Sequence, residues 1–539
     1  MVQGTASSVG KSLVAAALCR AYARLGLRVA PFKAQNMSNN AAATADGGEI
    51  GRAQALQAAA ARIPPGVDMN PVLLKPEAEA RSQVVVLGKP YKTLPARDYY
   101  LEKPFLWKTV TAALDRLRAS ADLVVVEGAG SPAEINLRGG DIVNMAIARY
   151  ANSPVLLVAD IDPGGVFAQV VGTLALLEEE ERDLVKGVIV NKFRGDLSLL
   201  EPGLQTLRGL TGKPVLGVLP YLRGVGLAEE DGAVLETRAA ARARLAGPAA
   251  GAPGGAGIDI AVLRLPRVAN FDDLDALSLE AGVSVRFVAE PGELGLPDAV
   301  IVPGSKATLA DLDWMRRRGF DDALRWLSRL GVAVVGLCGG YQILGRRIED
   351  PEGVEGPPRS EPGLGLLPVE TVFRREKSVR QASGAVLPGG PGFFAAAAGL
   401  PVAGYEIHAG ETRFAAAATH DAAPADGPEP APGEAFGLFG LADAAPADGA
   451  SSLGGRVWGS YLHGVFDLPD FRRAWLASLG ADPSGAGLSL EAARDAALDR
   501  LADAFEASID LDQLSAIIGI AQRLPPGPRR ADHTASEEP

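Results

Sequence analysis

The chain has 539 residues, 47% of them hydrophobic, and a formal charge of −12, which allows two or three domains with sizeable cores and excludes a wholly disordered protein. The acidic balance, without any strong cluster of basic residues, argues against a nucleic-acid partner, because a phosphate backbone would be repelled. Two cysteines, Cys19 and Cys338, rule out a disulfide framework or a cysteine-rich zinc site. They fit a reducing compartment, and with no signal peptide and no apolar run of the roughly 18 residues that span a bilayer, the expected location is the cytoplasm and no membrane partner is expected.

The first feature in chain order is Gly4-Thr5-Ala6-Ser7-Ser8-Val9-Gly10-Lys11-Ser12, which opens a helical pattern from Leu13 to Leu25. Its small residues, Thr5 and Gly10 among them, let backbone N–H groups wrap phosphate oxygens. The helix N-terminus adds a favourable dipole, Lys11 neutralises charge, and the Ser12 hydroxyl can ligate Mg²⁺. Met1-Val2-Gln3 is a short run-in for the strand that feeds such a loop, so the natural start is expected slightly upstream. Cys19, inside the helix among Ala16, Ala17 and Leu18, reads as a small core residue.

Short β-branched runs then alternate with helical patterns: Leu123–Val126, Val155–Val158, Val188–Val190 and Val215–Leu219 read as strands of a parallel sheet covered by helices. Acids stand at two strand ends, Glu127 before Gly128-Ala129-Gly130 and Asp160 in Ala159-Asp160-Ile161-Asp162. Ligands of open α/β sheets gather at the carboxyl ends of strands, so Glu127 and Asp160 join Ser12 as candidate Mg²⁺ ligands. The first unit is taken as residues 1–235, followed by a Gly-, Ala- and Pro-rich linker over 236–257.

A second α/β pattern covers 258–470, with strands around Ile260–Leu263, Ala299–Val302 and Val332–Leu337. The last runs into Cys338-Gly339-Gly340-Tyr341-Gln342, an apolar strand ending at a cysteine flanked by glycines and then a helix, which is the layout of a nucleophile elbow. Cys338 would stand at a sharp turn with the helix dipole favouring its thiolate and the Gly339 N–H facing a developing oxyanion. A second oxyanion donor is expected from Gly304 or Ser305, in the glycine turn Val302-Pro303-Gly304-Ser305-Lys306.

A base is needed, and the chain has 4 histidines. His533 lies in a tail, 522–539, expected to be disordered, and His420 in an Ala/Pro/Gly/Asp-rich stretch, 415–453, expected to be a mobile insertion. His463 follows the short strand Arg456-Val457-Trp458 and is placed first; His408, in Gly404-Tyr405-Glu406-Ile407-His408-Ala409-Gly410, is kept as a substrate-shaping or structural residue. Residues 471–521 read as a C-terminal helical segment.

These motifs together resemble the cobyric acid synthase family, from Val2 to about Ile518. The likeness is carried in the first half by Lys33-Ala34-Gln35-Asn36-Met37-Ser38-Asn39-Asn40, by Met69-Asn70-Pro71-Val72-Leu73-Leu74-Lys75-Pro76 and by Ala159-Asp160-Ile161-Asp162-Pro163-Gly164-Gly165-Val166-Phe167. It implies a P-loop, dethiobiotin-synthetase-like parallel-sheet domain followed by a class I glutamine amidotransferase-like α/β domain. Cys338 is then the nucleophile and His463 its base, with Lys33, Asn36, Asp162 and His408 as motif or substrate candidates. The implied reaction takes L-glutamine, ATP and Mg²⁺ and amidates the b, d, e and g carboxylates of a corrinoid, adenosylcobyrinic acid a,c-diamide. Many class I domains carry a glutamate two residues after the histidine, where this chain has Val465, so the group that orients His463 is open. Pro163 stands where arginine is expected, which leaves one contact to a substrate carboxylate unassigned. Two other readings are amidation of another carboxylate, on a smaller corrinoid or a cell-wall precursor, and a P-loop switch ATPase that positions a partner on a membrane. The cysteine elbow, and the lack of an amphipathic membrane tail, speak against the last.

Overall fold

A computed structural model describes residues 1–78, 81–222, 257–415, 437–442, 447–481, 487 and 489–523. Most of the expected linker, the tail beyond Arg523 and residues 416–436 and 443–446 of the expected insertion lie outside the described residues.

The first half begins with β1 (Val2–Gly4), α1 (Lys11–Arg24), β2 (Val29–Phe32), the small hairpin β3 (Ala41–Ala43) and β4 (Glu49–Gly51), and α2 (Arg52–Ala60). It continues through β5 (Leu123–Val126), β6 (Val155–Asp160), β7 (Val185–Phe193) and β8 (Val215–Pro220). Parallel pairing runs β1-β6-β7-β8, and a parallel bridge from Val2 to Glu127 joins this row to the β2–β5 pair. The strands at the centre are buried on both faces, which explains their unbroken β-branched runs. Cys19 is fully buried, and burial pushes its thiol up.

The second half carries a 6-stranded sheet built from β9 (Ile258–Leu263), β10 (Val283–Val288), β11 (Ala299–Val302), β12 (Ala333–Leu337), β16 (Ala450–Ser452) and β17 (Val457–Ser460), in the order β10-β9-β11-β12-β17-β16. All neighbours are parallel except β16 on β17. A short helix, α3 (Gly339–Leu344), follows β12; a second sheet is built on the long pair β13 (Val369–Val386) and β14 (Pro401–Phe414), with β15 (Phe439–Leu441) on β13. Strands β15 and β16 lie within the stretch 415–453 expected to be an insertion. Phe439, Leu441 and Ala450 are buried, and their pairing with distant strands supplies the order that local composition does not. Trp458 of β17 is fully buried in a knot of rings formed with Phe394, Phe439, Phe466, Phe471 and Trp475.

The C-terminal segment does not extend the second half. Its helix α4 (Leu490–Ser508) packs Leu498, Leu501 and Phe505 into the same cluster as Ala15, Ala16 and Tyr22 of α1. Arg20 of α1, fully buried, reaches Asp495 and, at 3.4 Å, Asp499; Arg24 reaches Asp499 at 2.8 Å and Asp503 at 2.7 Å. Among the described residues no helix is long and apolar enough to cross a membrane.

The two halves meet at the β3–β4 hairpin. Glu49 is fully buried between Lys75 at 3.0 Å and Lys377 of β13 at 2.8 Å; burial works against its ionisation, but the two lysines outweigh it and hold the carboxyl at about 2. Lys306, next to the Gly304-Ser305 turn, pairs with Glu77 at 2.9 Å.

Because α4 is part of the first core, Leu498→Ala is expected to destabilise the first half by about 2–5 kcal/mol, read as a lower urea midpoint by circular dichroism. Glu491→Ala, on the exposed face of α4, is expected to stay within about 0.5 kcal/mol of the parent.

Candidate active sites at two sheet edges

The phosphate-type loop closes on itself through Lys11. Its Nζ donates to the carbonyls of Ala6 at 2.8 Å and Gly130 at 2.9 Å. Gly10 takes a left-handed φ of 97°, and a Cβ there would run into Asn191. Beside the loop, the Ser12 hydroxyl donates to Glu127 Oε1 at 2.8 Å, Lys33 Nζ lies 3.0 Å from the same oxygen, and Gln57 donates to Oε2 at 2.5 Å. Glu127 is almost fully buried; burial opposes its charge, and Lys33, Gln57 and Ser12 together hold the carboxyl below its ordinary range.

Ser12, Glu127 and Lys33 are thus brought together. Asp160 is not in that cluster: it pairs with Lys192 at 2.8 Å, which also donates to the Ser8 carbonyl at 2.8 Å, and it accepts the Asp162 N–H at 2.9 Å. Asp162 pairs with Arg194 at 3.3 Å, Thr5 donates to Gln169 at 3.2 Å, and Asn36 donates to Gln54 at 3.0 Å. Among the described residues no group of three or more His, Cys, Asp or Glu side chains could hold a metal ion. Ser12 and Glu127 nevertheless suit Mg²⁺. Octahedral ligands at 2.0–2.1 Å sit about 2.9 Å apart along an edge, and Mg²⁺ keeps several waters, so two protein oxygens at this spacing suffice.

At the other edge, β12 is followed by Cys338 with φ 49° and ψ −106°, a conformation that costs a non-glycine residue about 1–3 kcal/mol and places it on a sharp elbow. The following glycines are required by close approach: a Cβ on Gly340 would collide with the Val302 carbonyl, and one on Gly339 would lie 2.8 Å from the Ser305 nitrogen. The Cys338 N–H donates to the Ser460 carbonyl of β17 at 2.9 Å, and its thiol donates to the Ile407 carbonyl at 3.6 Å. A Cβ on Gly304 would stand 3.4 Å from His463 Cε1 and 3.8 Å from Cys338 Cβ. The turn after β11, the elbow after β12 and the histidine after β17 therefore converge.

His463 is held on every side. Its Nδ1 lies 2.7 Å from Asp273 Oδ2, and the other oxygen of Asp273 accepts the Gly464 N–H at 2.9 Å. Tyr405 stacks on the ring at 5.1 Å and exchanges backbone hydrogen bonds with residue 463. Nε2 lies 3.3 Å from the Asn270 carboxamide. Burial pushes the imidazole down, but the Asp273 carboxylate, then Cys338, outweigh it and raise the ring to about 10. His408 is turned to other work: it stacks on Tyr461 at 3.7 Å, and its Nδ1 lies 2.8 Å from the Gly410 carbonyl.

Asp273 therefore stands where a carboxylate two residues past the histidine was looked for. Sequence reading missed it, together with Asn270 and Tyr405. The only local signal is an acidic turn, Asn270-Phe271-Asp272-Asp273, shortly after the strand β9. One cavity of about 2790 Å³ is lined by Gly10, Lys11 and Glu127 of the phosphate-loop site and also by Arg52, Asp272, Gly404 and Tyr405.

Residues 1–235 match the CobQ/CobB/MinD/ParA nucleotide binding domain, and residues 259–471 match the CobB/CobQ-like glutamine amidotransferase domain. The chain is 51% identical to a cobyric acid synthase of Chloroflexus aggregans, over 90% of this chain and 92% of that protein. It is 51% identical to one of Sorangium cellulosum, over 97% and 99%, and 47% identical to one of Dehalococcoides mccartyi, over 96% and 98%. With a nucleotide-binding edge and a cysteine–histidine edge in one chain, and such identity along almost its whole length, the protein belongs to the cobyric acid synthase family.

Proposed function

We propose that the chain is a glutamine- and ATP-dependent ligase of cobalamin biosynthesis that converts the b, d, e and g carboxylates of adenosylcobyrinic acid a,c-diamide into carboxamides, each at the expense of one glutamine and one ATP. The observation that carries this reading is the pairing of a Cys338–His463–Asp273 constellation with a Lys11–Ser12–Glu127 loop. The two free cysteines, Cys19 and Cys338, fit a cytoplasmic enzyme.

At the first step the Cys338 thiol gives its proton to His463 Nε2 and the sulfur attacks the glutamine carboxamide carbon. The oxyanion that forms is met by the Gly339 N–H and by the N–H of Gly304 or Ser305. His463 returns the proton to the leaving nitrogen, ammonia departs, and water hydrolyses the thioester to glutamate. Asp273 keeps the Nδ1 proton in place and stabilises the imidazolium without itself taking the proton.

A carboxylate does not condense with ammonia unaided, because it is unreactive and its oxygen leaves poorly. Transfer of the ATP γ-phosphoryl group to the carboxylate makes an acyl phosphate; ammonia attacks its carbon and inorganic phosphate leaves. Lys11 and the loop N–H groups hold the phosphates, and Lys33 lies close enough to follow the charge. Mg²⁺, held by Ser12 and Glu127, would supply charge neutralisation there.

Mass spectrometry of the corrinoid after incubation with MgATP and glutamine tests the reaction. Cys338→Ala is expected to abolish the mass gain with glutamine and to retain it with ammonium salts; loss of both in a folded variant would reject the division of labour, and an unchanged corrinoid in the parent would reject the acceptor. Asp273→Asn carries a signed pH effect. It removes the largest influence raising His463 and leaves burial, which lowers it; because His463 carries the thiol's proton in the thiolate–imidazolium pair, the alkaline limb of glutamine hydrolysis, where that proton is lost, is expected to move to lower pH. The rate at pH 7.5 is expected to fall by ~10²–10⁴-fold; an unmoved limb would remove Asp273 from the role.

A further inference from the structure

Ser305 stands in the turn that meets the cysteine elbow, and the residues on either side of it are already committed. The Ala269 N–H donates to the Gly304 carbonyl at 2.9 Å, and the Lys306 N–H donates to the Arg267 carbonyl at 2.9 Å, a short antiparallel ladder in which Ser305 lies opposite Val268. Alternate residues of such a ladder turn their N–H and C=O to opposite sides. Gly304 therefore faces Ala269, and Ser305 faces away, with no backbone acceptor for its N–H among the described residues. Its nitrogen lies where a Cβ on Gly339 would come within 2.8 Å. Of the two candidate donors in the turn, Ser305 is the one able to share an oxyanion with the Gly339 N–H.

A donor of this kind works only when it is held still. What holds it comes from the helix Thr308–Arg318, in which Asp311 is fully buried. Burial pushes the Asp311 carboxyl up to about 6, against the pull of Ser305 and Arg267, so above that pH it is a carboxylate and can only accept hydrogen bonds. One oxygen, Oδ2, accepts from the Ser305 hydroxyl at 2.6 Å and from the Arg267 N–H at 3.3 Å; the other oxygen lies 3.6 Å from the Arg267 guanidinium. With its hydrogen directed to Asp311, the Ser305 hydroxyl accepts the Ala307 N–H at 3.0 Å.

A single carboxylate oxygen thus ties both sides of the ladder, Arg267 on one and Ser305 on the other. The helix dipole favours an acid in this first turn, but an exposed one would serve it equally, and a buried acid is costly unless its oxygens are used. The use they are put to here is to clamp the turn beside Cys338.

We propose that Asp311 is a positioning residue for glutamine hydrolysis: through the Ser305 hydroxyl it fixes the turn so that the Ser305 N–H meets the oxygen that becomes negative when Cys338 attacks the carboxamide. This rests on Cys338 being the nucleophile, as argued above. Asp311 acts on the reaction only through Ser305, so its loss displaces a donor that matters most in the transition state, and kcat falls while the glutamine KM is spared.

The test is steady-state glutamate release from glutamine by the full chain, set beside the rate at which iodoacetamide alkylates Cys338, followed by mass spectrometry. Alkylation joins the sulfur to a methylene carbon with loss of iodide and builds no oxyanion, so it reads the thiol without the turn. Asp311→Ala and Ser305→Ala are each expected to lower kcat by ~10–10²-fold, with KM and the alkylation rate within about three-fold of the parent. The double variant is expected to lose no more than about two-fold beyond the worse single one, because the two side chains act as one unit. Should Asp311→Ala fail to fold, Ser305→Ala decides alone, since it empties no core position. Parent-like kcat in Ser305→Ala, a fall in alkylation by the same factor as in kcat, or additive losses in the double variant would overturn the proposal. Glutamine hydrolysis that survives in Cys338→Ala would instead reject the nucleophile, which keeps the two failures apart.

Discussion

An imidazole and a carboxylate buried side by side constrain everything around them. Either group alone in that interior would be costly, and the 2.7 Å contact between His463 and Asp273 is tolerable only because the lone pairs and protons of both are used: one Asp273 oxygen on Nδ1, the other on the Gly464 N–H. The backbone pairing of residues 405 and 463, the Tyr405 stack and the acidic turn after β9 are the supports that this pair requires. The elbow at Cys338 then needs only to arrive beside the ring, which the register of β12 beside β17 supports.

The interface between the halves obeys the same rule with larger charges. Glu49 is ionised in a site from which water is excluded because lysines from both halves, Lys75 and Lys377, surround it. Such a cluster adds little net stability compared with an apolar contact of the same size, but it tolerates few arrangements, since a slipped interface would strand a charge. Lys306 and Glu77 extend this to the turn that holds Gly304 and Ser305. The precision of the glutamine site is therefore partly set by residues on another domain.

What could be read from the sequence follows from where each signal is written. The phosphate loop and the cysteine elbow are contiguous strings in which glycines, small residues and one reactive group fall at fixed offsets, and strands buried on both faces leave unbroken β-branched runs. The Ser12–Glu127 contact was inferable because Ser12 opens the helix that follows the loop after β1 and Glu127 follows β5, both at the carboxyl edge of parallel strands. Asp273 was not, because the partnership spans 190 positions and its turn carries no periodicity. The same holds for Lys192 on Asp160, and for β15 and β16, whose alanine- and glycine-rich surroundings conceal strands that exist only by pairing with others. The amphipathic pattern of α4 announces a buried face but not which core it joins.

That last point bears on how the polypeptide is assembled. Since α4 covers α1, with Ile509 bridging to Gly217 of β8, the stretch before residue 223 and the stretch after residue 489 make one body, and the glutamine-handling unit is threaded between them like a guest sequence set into a host. The nucleotide unit is thus complete only after the ribosome has delivered α4 and Ile509. A cut anywhere between residues 222 and 257 would not free two self-sufficient proteins, because one fragment would carry away a wall of the other.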